Sequence, residues 1–185
     1  MAEETRPPEP SRLFVEQLDA LRRAGRLGPI VDLACGRGRH AIPGVRAALP
    51  LIGVDRSREF LADLRARAEA LAESVPCVRA DLESGHKLPF RSASCGAVLV
   101  FRFLFRPLAP EIVRVLAPGG LLLYETFTRD QQALPYGPSN PEYLLGPGEL
   151  PELFSALEIV EHAELREGRP RPDAIARLIA RKPVE

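Results

Sequence analysis

Net charge is the first thing that this sequence lacks. It contains 25 lysines and arginines and 25 aspartates and glutamates, so its formal net charge is zero. A protein without a basic excess has no long-range field that attracts the phosphates of nucleic acid or an anionic membrane surface. We therefore expect neither a nucleic-acid partner nor a membrane partner.

Long apolar segments are also missing. No stretch approaches the roughly 20 apolar residues that a helix needs to cross a bilayer. The beginning of the chain, MAEETRPPEP, has neither the apolar core of a secretory signal nor the amphipathic Arg and Ser pattern of a transit peptide. These absences predict a cytoplasmic protein.

Cysteine and histidine are scarce, with three residues of each type. They are Cys35, Cys77, Cys95, His40, His86 and His162. The cysteines are odd in number and stand among apolar or small residues, which favours buried thiols over a disulfide framework. Neither residue type shows the spacing of metal ligands, so the sequence predicts no metal.

Short apolar runs alternate with helical patterns along most of the 185 residues. Seven runs predict strands, at 29–34, 51–55, 77–81, 96–101, 121–125, 157–163 and 173–181. Helices are expected at 11–24, 39–49, 57–74, 109–116 and 149–156, with Ser11 and Ser57 as N-caps. Repeated β-α units of this kind predict an α/β, doubly wound fold, with a mostly parallel sheet and helices on both faces.

Three segments depart from this alternation of strands and helices. Residues 1–10, rich in proline and glutamate, are expected to form a mobile tail before a single domain at 11–185. The Pro118-Gly119-Gly120 segment predicts an exit turn from the helix at 109–116. Residues 126–148 are rich in proline, glycine and polar residues and are too long for an ordinary connection, which predicts a lid or substrate loop. Its side chains Tyr136, Asn140 and Tyr143 are predicted to lie near a substrate.

The segment 31–38, VDLACGRG, stands where the first strand meets the following helix. Gly36 and Gly38 allow a tight turn and the close approach of a ligand to the backbone. Asp55 ends the second strand, where a carboxylate can accept hydrogen bonds from both hydroxyls of a ribose. The segment therefore predicts the binding site of a cofactor that carries an adenosine.

Two kinds of cofactor fit this turn. Residues 36–41, GRGRHA, match the dinucleotide fingerprint G-x-G-x-x-G/A, which suits an NAD-dependent oxidoreductase. Asp32 would then lie close to a pyrophosphate, however, and a carboxylate there fits a cationic ligand better. Asp81 ends the third predicted strand and offers a further acceptor, suited to an amino group such as that of adenine. Both cofactors stay open, with the cationic one favoured.

These residues resemble the class I S-adenosylmethionine-dependent methyltransferases, through VDLACGRG, GVD, RADL and LAPGGLLLYETF. The resemblance spans about residues 29–126. The stretches FRPL, YETF and YGPSNPEYLLGPGEL are similar to a small bacterial branch, distantly related to tellurite-resistance methyltransferases, and extend it to about residue 150. The resemblance implies a seven-stranded, Rossmann-like sheet whose last strand is antiparallel.

The resemblance also implies roles for individual residues. Asp32 would meet the methionine ammonium of S-adenosylmethionine, Gly36 and Gly38 would lie under its methionine and ribose, and Asp55 would take the ribose hydroxyls. Asp81 and the backbone N–H of Leu82 would contact the adenine, while Phe101 would flank the methionine. The neighbouring Ala34 and Arg56 complete the predicted cofactor-binding set. The chain departs from the family pattern at Ser94-Cys95-Gly96, where an acidic residue is frequent, and at Phe105, where the branch has histidine.

No residue stands out as a catalytic base, so the catalytic residues stay unknown. Glu125 follows the fifth strand and would contact substrate or act as a base, or else pair with a nearby arginine. Arg106 would bind an anionic substrate group, or else form an ion pair that holds the loop. His40, beside the cofactor turn, is more typical of a structural hydrogen-bond partner.

The function that follows is methyl transfer from S-adenosylmethionine to a small-molecule or oxyanion acceptor. An aligned sulfonium donor needs no base when the nucleophile is a soft anion or a thiol. Two alternatives stay open: a regulatory module that binds the cofactor without turnover, and the NAD-dependent oxidoreductase.

Overall fold

The computed structural model of the protein describes residues 9–168 and 170–184. Its helices are α1 (Arg12–Glu16), α2 (Leu18–Ala24), α3 (Ala41–Arg46), α4 (Arg58–Glu69), α5 (Ala109–Val115) and α6 (Glu149–Leu153). Its strands are β1 (Ile30–Leu33), β2 (Leu51–Asp55), β3 (Cys77–Arg79), β4 (Cys95–Phe101), β5 (Leu116–Phe127), β6 (Glu158–Glu167) and β7 (Asp173–Arg181). Most of the predicted tail, residues 1–8, lies outside the described residues. No helix in the described ranges is long and apolar enough to span a bilayer.

The strands form one seven-stranded sheet in the order β3-β2-β1-β4-β5-β7-β6. The pairs β1–β2, β2–β3, β1–β4 and β4–β5 are parallel. The last strand, β7, lies between β5 and β6 and is antiparallel to both. The predicted fold class is therefore confirmed. The strand order reverses between β1 and β4, and ligands of such sheets bind outside the carboxyl ends of the strands at this point.

Apolar side chains cover both faces of the sheet. Alternate residues of β4 belong to two separate clusters, with Leu99 on one face and Val98 and Val100 on the other. Helices α1 to α4 contribute their buried residues to the face of Leu99. Helices α5 and α6 pack on the face of Val98. The predicted helices on both faces are thus present, and they leave the carboxyl edge of the sheet open for a site.

All five predicted helices have other limits than the sequence suggested. Those expected at 39–49, 109–116 and 149–156 span Ala41–Arg46, Ala109–Val115 and Glu149–Leu153, and the helices expected at 11–24 and 57–74 also differ. Ser11 and Ser57 are N-caps, as predicted, and accept hydrogen bonds from Leu13 N and Phe60 N. The first helix is divided at Gln17, where a tight turn lets α1 and α2 both bury apolar residues in the same cluster. The helix after Ser57 ends at residue 69 rather than 74, because the residues beyond it have no apolar face: Leu71 is exposed.

Five of the seven strands also differ from their predicted bounds, and the differences at the third and fifth strands concern predicted features. The third strand ends at Arg79, so Asp81 lies two residues beyond it rather than at its end. The predicted exit turn at 118–120 is part of β5, which begins at Leu116 because that residue pairs with Cys95. The register shifts there, and the extra residues form an irregularity in which Gly119 has φ +76°.

The predicted lid, 126–148, is folded onto the sheet. Its first two residues are the end of β5, and Thr128 forms an isolated bridge with Leu145. Short 3-10 helices occupy Arg129–Ala133 and Pro141–Tyr143. The lid role itself stays a prediction.

Candidate functional site

The turn after β1 has a left-handed backbone at Ala34 (φ +54°), Gly36 (φ +54°) and Gly38 (φ +88°). A Cβ at Gly38 would lie 2.3 Å from Leu64 Cδ1, so only glycine lets α4 pack against the turn. A Cβ at Gly36 would meet nothing within 4 Å. The turn is therefore closed toward α4 at Gly38 and open at Gly36, where a ligand can approach the backbone.

Asp55, at the carboxyl end of β2, holds this turn in place. One carboxylate oxygen, Oδ2, accepts a hydrogen bond from Gly36 N at 2.9 Å, and Oδ1 accepts one from Ser57 N at 2.8 Å. The carboxylate thus joins the β1 turn to the cap of α4. Each oxygen keeps a lone pair that can accept a further hydrogen bond from a ligand hydroxyl.

Asp32, in the middle of β1, is the least satisfied polar group of the site. Its side chain is 1% exposed, and Oδ2 has no hydrogen-bond partner among the described residues. Burial, together with the charge of Asp55, raises the pKa of Asp32 to about 8. A buried carboxylate of this kind fits a cationic partner that restores its charge.

The shift of Asp32 predicts an unusual pH dependence of stability without cofactor. The pKa of Asp32 is about 8 in the folded state and 3.8 for an aspartate exposed to water, so the folded state keeps a proton that the unfolded state loses. Stability should therefore fall as pH rises through this interval, by up to about 1.4 kcal/mol per pH unit. Burial lowers the pKa of His40 from 6.5 to about 3, which gives the opposite slope below pH 6.5. The free energy of unfolding, measured with urea, should thus fall as the pH rises from 6.5 to 8.

The matched variants for this measurement are Asp32→Asn, which is neutral at every pH, and Asp130→Asn, which changes an exposed aspartate. Asp32→Asn should remove the fall in the free energy of unfolding, whereas Asp130→Asn should keep it. If the free energy of unfolding of Asp32→Asn falls with pH as it does in the wild type, a titrating group other than Asp32 causes the fall.

A cavity of about 280 Å³ opens beside this turn at the carboxyl ends of β1, β2 and β3; we call it the cofactor cavity. Five of the predicted cofactor residues line it: Ala34, Asp55, Arg56, Asp81 and Leu82. The wall also contains residues that were not predicted for the site, namely Phe60, Ala80, Glu83 and Phe103. Phe60 could have been inferred, since it lies in the first turn of the helix that follows Asp55.

Arg56 and Glu83 form an ion pair within this wall, with Nη1 and Oε2 2.6 Å apart. Asp81 Oδ1 accepts a hydrogen bond from Glu83 N at 3.0 Å, which shapes the loop after β3. The cavity is thus bordered by a polar rim and by the apolar side chains Leu82 and Phe103. Such a mixture suits a ligand with a flat ring and several hydroxyl or amino groups.

Phe101 lies elsewhere. Its ring stacks on His40 with centroids 3.9 Å apart, on the face of the sheet that carries α1. His40 Nε2 accepts a hydrogen bond from Ser11 N at 3.1 Å, which is the structural role that the sequence favoured. Asp32, Gly36, Gly38 and Phe101 are not among the wall residues of the cofactor cavity. Their predicted contacts with a cofactor stay predictions.

Residues 30–120 match the family model of a methyltransferase domain. The matched segment makes up just under half of the chain, and this part of the chain is similar to methyltransferase domains. A search of curated proteins gives no significant match. The match covers the turn, Asp55 and the strands up to the start of β5, and it includes every wall residue of the cofactor cavity except Tyr143.

Solved structures with this methyltransferase fold agree with the architecture. TehB from Haemophilus influenzae has 18% identity and a TM-score of 0.69, covering 89% of this chain and 61% of its own. A SAM-dependent methyltransferase from Methanosarcina mazei has 19% identity and a TM-score of 0.68, covering 85% and 93%. The [4+2]-cyclase SpnF has 19% identity and a TM-score of 0.68, covering 92% and 81%. The chain thus spans less than two thirds of the length of TehB, and at these identities the likeness concerns the fold.

Glu125, one of the two catalytic candidates, is bound by other side chains. Its Oε2 accepts hydrogen bonds from Ser11 Oγ at 2.6 Å and from Arg177 Nε at 2.9 Å. Arg177 also pairs with Glu167. The Glu125 carboxylate is buried and ion-paired. This matches the predicted alternative in which Glu125 pairs with a nearby arginine instead of acting as a base.

Arg106, the other catalytic candidate, ties the predicted lid to the domain. Its guanidinium forms a bidentate ion pair with Glu149 and donates to the carbonyls of Glu142 and Leu144, at 2.8 and 3.0 Å. The hydrogen bond from Arg106 holds the pKa of Glu149 below its usual value. Of the two roles predicted for Arg106, these contacts match the ion pair that holds the loop rather than the binding of an anionic substrate group.

Arg106→Lys is therefore expected to loosen this segment, because lysine cannot reproduce the planar bidentate contact. Limited proteolysis should cut the stretch 134–146 several times faster than in the wild type, while Arg91→Lys, at an exposed arginine, should leave the rate unchanged. Equal cleavage rates in the wild type and Arg106→Lys would show that this contact does not hold the segment.

The three residues predicted to lie near substrate are separated. Tyr143 lines the cofactor cavity. Tyr136 donates its hydroxyl to Pro172 O at 2.9 Å, and Asn140 Oδ1 accepts from Glu142 N at 3.1 Å as the cap of a 3-10 helix. The structure therefore brings Tyr143 to the site, while the contacts of Tyr136 and Asn140 stabilise the loop. Within the described ranges, no group of three or more His, Cys, Asp and Glu could hold a metal ion.

Proposed function

We propose that this protein transfers the methyl group of S-adenosylmethionine to a small-molecule acceptor. The observation that carries the proposal is Asp32 Oδ2, a buried oxygen without a partner beside a turn that is open at Gly36. A dinucleotide would bring a pyrophosphate to this turn, where its negative charge would disfavour the ionised form of Asp32. An ammonium group would instead compensate its charge.

The residues present fit the cofactor in three respects. Asp55 can accept from ribose hydroxyls with its free lone pairs, and Asp81 and Leu82 lie in the cavity wall where an adenine would meet them. Asp32 would face the methionine ammonium. Bound there, S-adenosylmethionine would supply an activated methyl group. Phe103 and Tyr143 would exclude water, and a held geometry contributes about 7–11 kcal/mol to such reactions.

A second candidate function is binding of the cofactor without methyl transfer. The candidate base Glu125 pairs with Arg177, and Glu83, in the wall of the cofactor cavity, pairs with Arg56. One structure with the same fold is a [4+2]-cyclase, so the fold also supports other chemistry. Because both carboxylates are ion-paired, they are poor general bases. This favours the second candidate for any acceptor whose proton must pass to a base before methyl transfer.

The proposal is tested by the formation of S-adenosylhomocysteine from S-adenosylmethionine with a panel of thiols, phenols, amines and oxyanions, against heat-denatured protein. We expect turnover above background with at least one acceptor. Binding of S-adenosylhomocysteine without any turnover would favour the second candidate, and tighter binding of NAD would favour the oxidoreductase. A cytoplasmic location and the absence of nucleic-acid and membrane partners belong to the same proposal.

A further inference from the structure

A second cavity, of about 260 Å³, lies at the carboxyl ends of β4 and β5; we call it the acceptor cavity. It shares three wall residues with the cofactor cavity: Glu83, Phe103 and Tyr143. The two cavities are therefore direct neighbours at the same edge of the sheet. This is the arrangement that a methyl donor and its acceptor require.

The backbone at Arg102 creates the shared wall. Arg102 has φ +56°, a left-handed conformation that is strained for a residue with a side chain. The turn interrupts the alternation of β4, so that Phe101 packs with His40 while Phe103 lies against the opposite cluster and lines both cavities. Strain of this kind is found where the surrounding structure holds a functional geometry.

The walls of the acceptor cavity offer no unpaired charge. Arg102 pairs with Asp173 at 2.6 Å and lies over the Phe127 ring, 5.3 Å from its centroid. Glu83 pairs with Arg56. The remaining wall contains the apolar side chains Phe103, Leu104, Phe127 and Pro138, together with Thr126 and Tyr143, whose hydroxyls are uncharged. An oxyanion would lose its hydration here without gaining a free cation, whereas an uncharged apolar molecule fits.

Thr126 adds a polar group to this wall. It lies near the end of β5, is 1% exposed and belongs to the acceptor cavity but not to the cofactor cavity. A hydroxyl can both donate and accept a hydrogen bond, which suits the orientation of one polar atom on an apolar ligand.

We infer that the acceptor cavity binds a small, uncharged, apolar thiol as the methyl acceptor, oriented by Thr126. This inference depends on the proposed function. Roughly a few per cent of a free thiol is thiolate at pH 7, its proton having passed to water, so no base from Glu83 or Thr126 is needed. A thiolate is less strongly hydrated than an oxyanion, and a bound sulfonium would compensate its charge. The thiolate lone pair forms the new carbon–sulfur bond, and the bond from the methyl carbon to the sulfonium breaks with its electron pair left on the cofactor sulfur. Charge and atoms balance without a further reactant.

Thiophenol and selenite, an apolar thiol and an oxyanion, are the probes that test this inference. The wild type should methylate thiophenol well above the rate without protein, and selenite at background. Thr126→Val, which keeps the shape but removes the hydroxyl, should lower kcat/KM for thiophenol by about two- to tenfold, the effect of one neutral hydrogen bond. Its affinity for S-adenosylhomocysteine should not change.

Tyr143→Ala removes part of the shared wall, and Tyr136→Ala is its matched control in the same loop. Tyr143→Ala should lower kcat/KM for thiophenol more than Tyr136→Ala does. The inference is overturned if selenite alone is methylated, if thiophenol is not a substrate, or if Thr126→Val and Tyr143→Ala both react as the wild type. If S-adenosylhomocysteine does not bind the wild type, the proposed function itself fails, which is a separate result.

Discussion

Replacement of Asp55 by alanine is expected to weaken the binding of S-adenosylhomocysteine by about two to four orders of magnitude. Two hydrogen bonds from ribose hydroxyls to a carboxylate would be lost, at about 1.5–3 kcal/mol each. The same change leaves Gly36 N and Ser57 N without their acceptor, so the turn that faces the ligand also loosens. Isothermal titration calorimetry measures the affinity, and circular dichroism shows that the fold persists.

Two further variants separate these effects. Asp55→Asn keeps one side-chain oxygen as an acceptor and should lose less affinity than Asp55→Ala. Asp130→Ala changes an exposed aspartate that does not line the cofactor cavity and should bind as the wild type does. Unchanged affinity in Asp55→Ala would show that the ribose is bound elsewhere.

Arg177→Ala is expected to destabilise the fold by about 3–5 kcal/mol, the usual cost of breaking a buried ion pair by removing one partner. The side chains of Arg177 and Glu125 are 10% and 6% exposed, so Glu125 would stay buried with its charge uncompensated. Glu167 would lose its ion-pair partner as well. Urea unfolding at constant pH measures the free energy of unfolding.

Arg12→Ala provides the comparison, because the Arg12 side chain is 71% exposed in its ion pair with Glu16. Exposed pairs contribute little to stability, so this variant should stay close to the wild type. The double variant Glu125→Gln, Arg177→Met removes both charges and should recover part of the loss. If Arg177→Ala is no less stable than Arg12→Ala, the buried network does not stabilise the fold.

Local sequence signals were sufficient for much of the fold and for the cofactor turn. The apolar runs gave β2 and β7 at their observed bounds, and serine caps marked the starts of α1 and α4. These features depend on residues that are close in the chain. Gly36 and Asp55 could be assigned to one site because parallel strands bring their carboxyl ends to one edge.

Contacts between distant residues could not be predicted in this way. Glu125 meets Arg177 only because β7 inserts beside β5, and Arg106 meets Glu149 only once the loop has folded back. The sequence therefore left both side chains between a catalytic and a structural role. Simple alternation along β4 would place Phe103 on the same face as Phe101, and the left-handed turn at Arg102 moves it to the opposite face.

The central claim is that Asp32 and the β1 turn bind a cationic adenosine cofactor. The most direct measurement is a calorimetric titration of S-adenosylhomocysteine into the wild type and Asp32→Asn. We expect the wild type to bind and Asp32→Asn to bind at least about tenfold more weakly, since an ammonium–carboxylate hydrogen bond is lost. Absence of binding to the wild type at millimolar ligand, or equal affinity in the two proteins, would contradict the claim.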